Sequence, residues 1–323
     1  MGMDTMALSG LLDIELSVKD PDELIGFWER RGMRRTSDEV MGTADRDTQL
    51  RIVEGDYRHM SALHMGCDTE QDLADIAGRL AEMGVEATIA GTTLMCEDPI
   101  FNHQVVVDVT TAHPLTPVQQ RALNPTGVQN RLNERADAVT EESPRAPRRL
   151  GHIVLGTPKF EEACKFFIDG LGFKVSDQIA GGVATFARIE QDHHNLLIHP
   201  GPTSYINHYA MEVDDIDAIG KAGQAVVDER HDASVVGVGR HCLGSNFFWY
   251  LFDPSGNMFE FFSDIDQITD DAAWERDNMR TDWSTEGAPP APFSVWGPQE
   301  PEIFFNPPDV AEIGAGREAA GLQ

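Results

Sequence analysis

Three side chains in the second half of the chain have the types and positions to hold a divalent metal. His152 lies in "GHIVL", His208 in "NHYAMEV" and Glu260 in "MFEFF", each a short apolar run that reads as a β-strand. A bare charge or imidazole is expensive to bury among such residues, and a buried carboxylate is rarely left unpaired. Two imidazoles and one carboxylate on one face of an octahedron leave three adjacent positions open. Non-haem Fe(II) sites that bind substrate and O2 on one metal use this arrangement, and the ligand set alone does not separate Fe(II) from Mn(II). The stretch "HCLGSNFFWYLFDPSGNMFEFFSD" adds His241 and Tyr250 upstream of Glu260, around a D-P-S-G turn. Each residue taken singly also has a plainer reading. A lone strand histidine is usually packed, and an interior tyrosine usually has its hydroxyl satisfied. His194, in "QDHHNLLI", reads by itself as a surface residue in a polar turn beside Asp192 and His193.

Such a set needs a scaffold that brings separate strands together, and the sequence repeats one. "LLDIELSVKDPDELIGFWERRGM" from Leu11 is echoed by "LGHIVLGTPKFEEACKFFIDGLGF" from Leu150. "SALHMGCDTEQDLADIAGRLAEMGVEA" resembles "INHYAMEVDDIDAIGKAGQAVVDER", and both halves close with a hairpin around a D-P turn. Four strand–helix–strands units result, near 10–55, 60–112, 148–200 and 206–263, as one supersecondary unit reused. If units three and four pair about a pseudo-twofold axis, His152 and His208 meet across a cleft and Glu260 completes one face. Aligning the halves sets His152 against Asp13, His208 against Ala62 and Glu260 against Val105. The first half thus repeats the scaffold without the ligand set.

The helices follow from apolar spacing. Phe160, Cys164, Phe167 and Leu171 predict one helical face, stopped by Gly170 and Gly172. Leu73, Ile76, Leu80 and Met83 predict another, with Gly84 as its C-cap. Residues 113–147 carry prolines and mixed charge and separate a 1–112 domain from a 148–264 domain. The 265–323 tail contains "APPAPFSVWGPQEPEIFFNPPD", whose prolines argue against a regular strand or a long helix and whose aromatic residues argue for packing. Its last dozen residues, rich in Ala and Gly, read as a disordered end.

Composition narrows the partners. With 54 Asp and Glu against 25 Lys and Arg, the formal charge of the 323 residues is −29. That field repels phosphate backbones and anionic membranes, so neither nucleic acid nor membrane is expected. No run is long enough to span a bilayer, and "MGMDTMALSG" lacks the pattern of a signal peptide. Four scattered cysteines without a CxxC fit free thiols in a cytoplasmic protein.

The second half resembles the type I extradiol ring-cleavage dioxygenases of the vicinal oxygen chelate superfamily. The resemblance covers roughly residues 8–264 and is specific from Gly151 to Asp264. His241, Tyr250, Asp253, Pro254, Gly256 and Glu260 reproduce the family's order and spacing of histidine, tyrosine, D-P-x-G-type turn and glutamate. The resemblance implies an α+β fold in which each domain pairs two βαβββ units into a curled, barrel-like mixed sheet around a cleft. It implies Fe(II), or Mn(II), on His152, His208 and Glu260. His194 takes the place of the acid–base histidine, and Tyr250 and His241 those of substrate- or oxygen-facing donors. The implied partners are a catechol and O2, the product a muconic semialdehyde-type compound of aromatic catabolism, and the assembly a homo-oligomer. Phe186, Phe247 and Phe248 are candidates to line the pocket, and the tail is expected to cover its mouth. Trp249 and the Leu243-Gly244-Ser245 run depart from the family pattern. Two other readings stay open at this stage: a metal-dependent isomerase or epimerase of the same superfamily, and a non-catalytic binder of aromatic ligands.

Overall fold

The structure, a computed structural model, describes residues 7–110, 115–119, 121–140, 146–179, 184–281 and 293–322. The first unit runs β1 (Gly10–Val18), α1 (Pro21–Glu29), β2 (Arg34–Ser37), β3 (Val40–Gly42) and β4 (Leu50–Glu54). The second runs β5 (His59–Cys67), α2 (Glu70–Glu82), β6 (Ala87–Ala90), β7 (Thr93–Glu97) and β8 (Gln104–Val109). After α3 (Asp137–Thr140) come β9 (Arg149–Thr157), α4 (Phe160–Lys165), β10 (Lys174–Ile179), β11 (Ala184–Arg188) and β12 (Leu196–Pro200). The fourth unit holds β13 (Tyr205–Glu212), α5 (Ile216–Glu229), β14 (Ser234–His241), β15 (Phe247–Phe252) and β16 (Met258–Ser263). Beyond it lie α6 (Asp271–Asp277), β17 (Ser294–Trp296), α7 (Glu302–Phe305) and α8 (Val310–Ala319).

The units pair into two mixed, open sheets, in the orders β2-β3-β4-β1-β5-β8-β7-β6 and β10-β11-β12-β9-β13-β16-β15-β14-β17. In each, two first strands run antiparallel at the centre, β1 with β5 and β9 with β13. Each of these takes the last strand of its own unit as a parallel neighbour. The register corrects one pairing expected from the alignment of the halves. Asp13 faces His64 as His152 faces Ala210, and those partners face Val106 and Glu260. The counterpart of Glu260 is therefore Val106, not Val105. A slip of one residue along a strand exchanges the two faces of a sheet, so only the ladder resolves it.

Local chemistry explains the helices. Thr69 caps α2 in a reciprocal capping box with Asp72, satisfying backbone donors at its start. Leu73, Ile76 and Leu80 are fully buried, and Gly84 follows in the left-handed region at φ +77°, as a helix stop requires. The expected helix through Leu171 instead changes character at Phe166, where α4 gives way to a π-helical turn over Phe166–Leu171. The widened turn buries adjacent Phe166 and Phe167 together, whereas Phe160 and Cys164 only pack at the edge of the core.

The halves share their core. Trp28 of α1, fully buried, packs on Tyr209, Phe259 and Phe261 of the second sheet and donates its indole N–H to the Tyr209 hydroxyl at 3.2 Å. Tyr209 in turn donates to Asp253, whose carboxylate also accepts from the backbone of Ser255 and Asn257. That closes the D-P-S-G turn and sets the start of β16.

The tail differs from expectation in two places. β17 adds an edge strand beside β14, and the Ala- and Gly-rich end is a docked helix, α8. Ile313 is buried against Tyr57 and Tyr205, Asp309 takes a two-pronged ion pair from Arg58 at 2.5 and 2.7 Å, and Arg317 donates to the carbonyls of Ile100 and Phe101. Composition understates such a helix because its stability comes from tertiary contacts. Among the described residues no helix is long and apolar enough to cross a membrane.

Beneath Arg317 lies a buried carboxyl. Asp98 Oδ1 accepts from the backbone of Ile100 and Phe101, and His103 Nε2 is 3.5 Å from Oδ2. Burial pushes this carboxyl up to about 7 against its two backbone donors. A carboxyl raised on folding contributes stability that is complete below about pH 4 and lost as pH rises through about 7. Asp98→Asn keeps the Oδ1 acceptor and removes the titration. Melting temperatures between pH 5 and 7.5 are expected to fall less in this variant than in the native chain.

Candidate metal centre

The central strands of the second sheet set three side chains around one point. His152 on β9 stands opposite Ala210 on β13, and Ala210 opposite Glu260 on β16. The methyl of Ala210 leaves the space above it clear, so His152 Nε2 reaches Glu260 Oε2 at 2.9 Å. His208, two residues from Ala210 and on the same face of β13, brings its Nε2 to 3.6 Å from the same oxygen. One ligand atom from each of the three lies within 4.8 Å of the others, and all three residues are buried. The first half keeps the positions and not the chemistry: Asp13 is ion-paired with Arg51 at 2.8 Å.

The residues fit a metal ion by the state of their atoms. His208 Nε2 is buried without a hydrogen-bond partner, while its Nδ1–H donates to Asn207 Oδ1 at 2.8 Å. That bond fixes the tautomer and leaves the Nε2 lone pair free. Burial pulls His208 down to about 4 against the attraction of Glu260, so it is neutral near pH 7. Burial alone would raise Glu260, but His152 beside it at 2.9 Å is the main influence holding it down at about 2, so it is a carboxylate. Asn246 donates to its other oxygen, Oε1, at 2.9 Å.

The other expected residues gather on the same cavity, lined by His152, His194, His208, His241 and Tyr250 together with an apolar wall. The His194 ring lies 4.4 Å from that of His152. It is buried, not a surface residue, because Arg149 ties down the turn before it through Glu190 and Asp192. His193 Nε2–H donates to Asp177 at 2.7 Å, and its Nδ1 accepts from His194 Nδ1–H at 3.0 Å. The His194 Nε2 is thereby left as a lone pair, and burial first, with the neighbouring histidines, holds this imidazole well below its usual range. Gly244 permits the approach of the loop opposite. It sits at φ +82°, and a Cβ there would come 3.2 Å from His193 Nδ1 and His194 Cε1.

Tyr250 donates to His241 Nε2 at 2.8 Å, because His241 Nδ1–H is taken by the Phe293 carbonyl. Burial and then the charges of Glu260 and Glu300 push the Tyr250 phenol well above its usual range. Of the three phenylalanines expected on the pocket, Phe186 lines it. Phe248 lies behind, stacked on His241 at 4.0 Å, and Phe247 faces away, under Arg240 and Trp296. Trp249 fills the notch left by Gly223 of α5, outside the cavity. The tail supplies Phe293, Glu300, Phe304 and Phe305 to the lining. Tyr205 and Asn207 hold it by donating to the carbonyls of Phe305 and Phe304 at 2.8 and 2.7 Å.

Asn207, Asn246, Asp177 and His193 were not singled out from sequence. Adjacency to His208 and to His194 was a signal for Asn207 and His193, whereas nothing local marks Asp177 or Asn246.

Comparison with known proteins agrees with this geometry. Residues 149–261 match the model of the Glyoxalase/Bleomycin resistance protein/Dioxygenase superfamily. Over 273 residues the chain is 30% identical to metapyrocatechase 2 of Cupriavidus necator, covering 81% of this chain and 79% of that one. It is 25% identical over 242 residues to an iron-dependent extradiol dioxygenase of Rhodococcus jostii, covering 71% and 78%. The fold is also that of a Mn(II)-bound glyoxalase from Novosphingobium aromaticivorans, with a TM-score of 0.69 over 91% of this chain and 93% of that one at 21% identity. The paired βαβββ units, with these matches, place the chain in the vicinal oxygen chelate superfamily. Within it, the chain belongs to the type I extradiol ring-cleaving dioxygenases, oxidoreductases that incorporate both atoms of O2.

Partners that orient a metal-binding side chain typically change affinity 10- to 100-fold when removed. Asn246→Ala is expected to weaken metal binding by about that factor with the fold retained. Competition with a chelator measures the first, and circular dichroism checks the second.

Proposed function

We propose that this enzyme opens a catecholic ring beside its hydroxyl pair, using Fe(II) held by His152, His208 and Glu260, to give a muconic semialdehyde-type product. The observation that carries the proposal is the buried His-His-Glu cluster opening on an apolar cavity that also holds His194, His241 and Tyr250. When bound, the metal supplies the sites on which a catechol and O2 are held side by side and the means to bridge their spin mismatch. Mn(II) would suit the same three ligands.

The chain supplies the rest. The His194 Nε2 lone pair accepts the proton a catechol must lose, and its Nδ1–H bond to His193 keeps the ring oriented while it does so. In the free site its proton affinity lies below the near-neutral range that best suits a general base, and the negative charge of a bound catecholate would raise it. Tyr250 stays protonated, so it is a hydrogen-bond donor and not a base. In the free site its single O–H is held by His241 Nε2, and donation to a catecholate oxygen would exchange that bond for one to the substrate. Val154, Phe186, Leu197, Phe304 and Phe305 exclude water, which strengthens each of these polar contacts. Proton-handling groups on the cavity favour oxygen chemistry over simple ligand binding.

Two variants separate the roles. His208→Ala is expected to lose metal retention, whereas His194→Phe keeps the metal and loses roughly 100-fold or more in turnover. Metal analysis of the purified proteins, with O2 uptake and the yellow ring-fission product as readouts, checks both. Full activity in either variant would sink the assignment.

A further inference from the structure

Two polar groups of the cavity lining, His199 and Glu300, have no part in the ring-cleavage scheme. His199, on β12, lines the cavity among Val154, Leu197 and Phe305 and is only 3% exposed. Its Nδ1 is 2.7 Å from the Pro200 carbonyl oxygen, a contact that requires an N–H, so Nδ1 carries the proton. Its Nε2 is buried without a hydrogen-bond partner. Burial holds the imidazole down at about 4, so near neutral pH Nε2 presents a lone pair. A buried acceptor left unpaired opposes folding, and an aliphatic residue would fill a strand position in this wall without that cost.

The ring is seated and not merely tolerated. Gly156 stands directly opposite His199 in the ladder. A Cβ at Gly156 would come within 2.9 Å of His199 Cε1 and 2.5 Å of the Tyr205 ring, so the glycine provides the space the imidazole occupies. Tyr205 and Phe305 meet the ring at 85° and 82°, with centroids 6.1 and 5.9 Å away. The remaining polar group of the lining outside the proposed catalytic set is Glu300, whose Oε1 accepts from Ser294 Oγ at 3.0 Å. Among the described residues, neither Lys nor Arg lines the cavity. The wall offers acceptors and negative charge, and no partner for a carboxylate.

We infer that the catechol this enzyme cleaves carries, away from its two hydroxyls, a hydrogen-bond-donating substituent such as a hydroxyl or amine, received by His199 Nε2, and that carboxylated catechols are disfavoured. The inference rests on the ring-cleavage reading above. Its test is anaerobic calorimetric binding to the full, metal-reconstituted chain. The ligands are hydroxyethyl catechols and propyl catechols, substituted next to the diol or one carbon further round, with dihydroxyphenylacetate as the carboxylate. In one matched pair the alcohol is expected to bind about 10-fold tighter than the alkyl compound, as one satisfied buried acceptor allows. His199→Leu should abolish that advantage and leave the alkyl compound within about twofold, while His199→Gln, which keeps an acceptor, should retain part of it.

No preference for the alcohol in the native chain, an undiminished preference in His199→Leu, or carboxylate binding as tight as the alcohol would each overturn the inference. The native-chain comparison needs no variant and stands even if a substitution misfolds. Admitting air to the same samples reads ring cleavage separately. Binding preference without O2 uptake supports the role of His199 and counts only against the ring-cleavage reading.

Discussion

A carboxylate with no solvent exposure is the constraint around which the second half is organised. Glu260 stays ionised at the centre of a sheet, and an isolated buried charge of that kind is prohibitive. In the free site its compensation comes from His152 on β9 and Asn246 from the loop before β15, while His208 on β13 faces it at 3.6 Å with a lone pair that a cation would bridge. His152 must arrive within hydrogen-bond reach across β13, so one side chain constrains the register of three adjacent strands. Ala210 is as much a part of this as the polar groups, because a larger residue between His152 and Glu260 would hold them apart. A bound cation adds its charge to the same balance, which couples metal affinity to the order of the sheet.

The duplicated scaffold separates this task from support. In the first half the equivalent row has become the Asp13–Arg51 ion pair, with a valine where the glutamate stands. Its helices are then free to act as packing for the other sheet, as Trp28 does against Tyr209, Phe259 and Phe261. The tail joins the halves a second time. It anchors on the first through α8 and Arg317, and holds Phe304 and Phe305 over the cavity through bonds to Tyr205 and Asn207. Asn207 orients His208 with one end of its amide and grips the tail with the other, so the proposed metal ligand and the cavity wall share a single support.

Repeat, period and ligand chemistry were legible along the chain because each is a local pattern. Four units, their strands and helices, and the choice of His152, His208 and Glu260 follow from alternation, apolar spacing and the cost of burying those side chains. The failures share a cause. The Val105 alignment, the continuous helix through Leu171 and the disordered C-terminal end each depended on contacts between segments far apart in sequence. Phe166 turns inward because a core is there to receive it, and α8 is ordered because Arg317 finds carbonyls in the first half.

By itself the sequence determined which residues could carry metal chemistry and which repeated unit would present them, since residue type and period are properties of the chain. Only the tertiary structure decided how they act. It set the tautomer of His208 through Asn207, buried His194 behind His193 and Asp177, aimed Tyr250 at His241, and left the Nε2 of His199 unpaired in an apolar wall. Hydrogen-bond direction and desolvation depend on what surrounds an atom in space, and that information is absent until the strands are side by side.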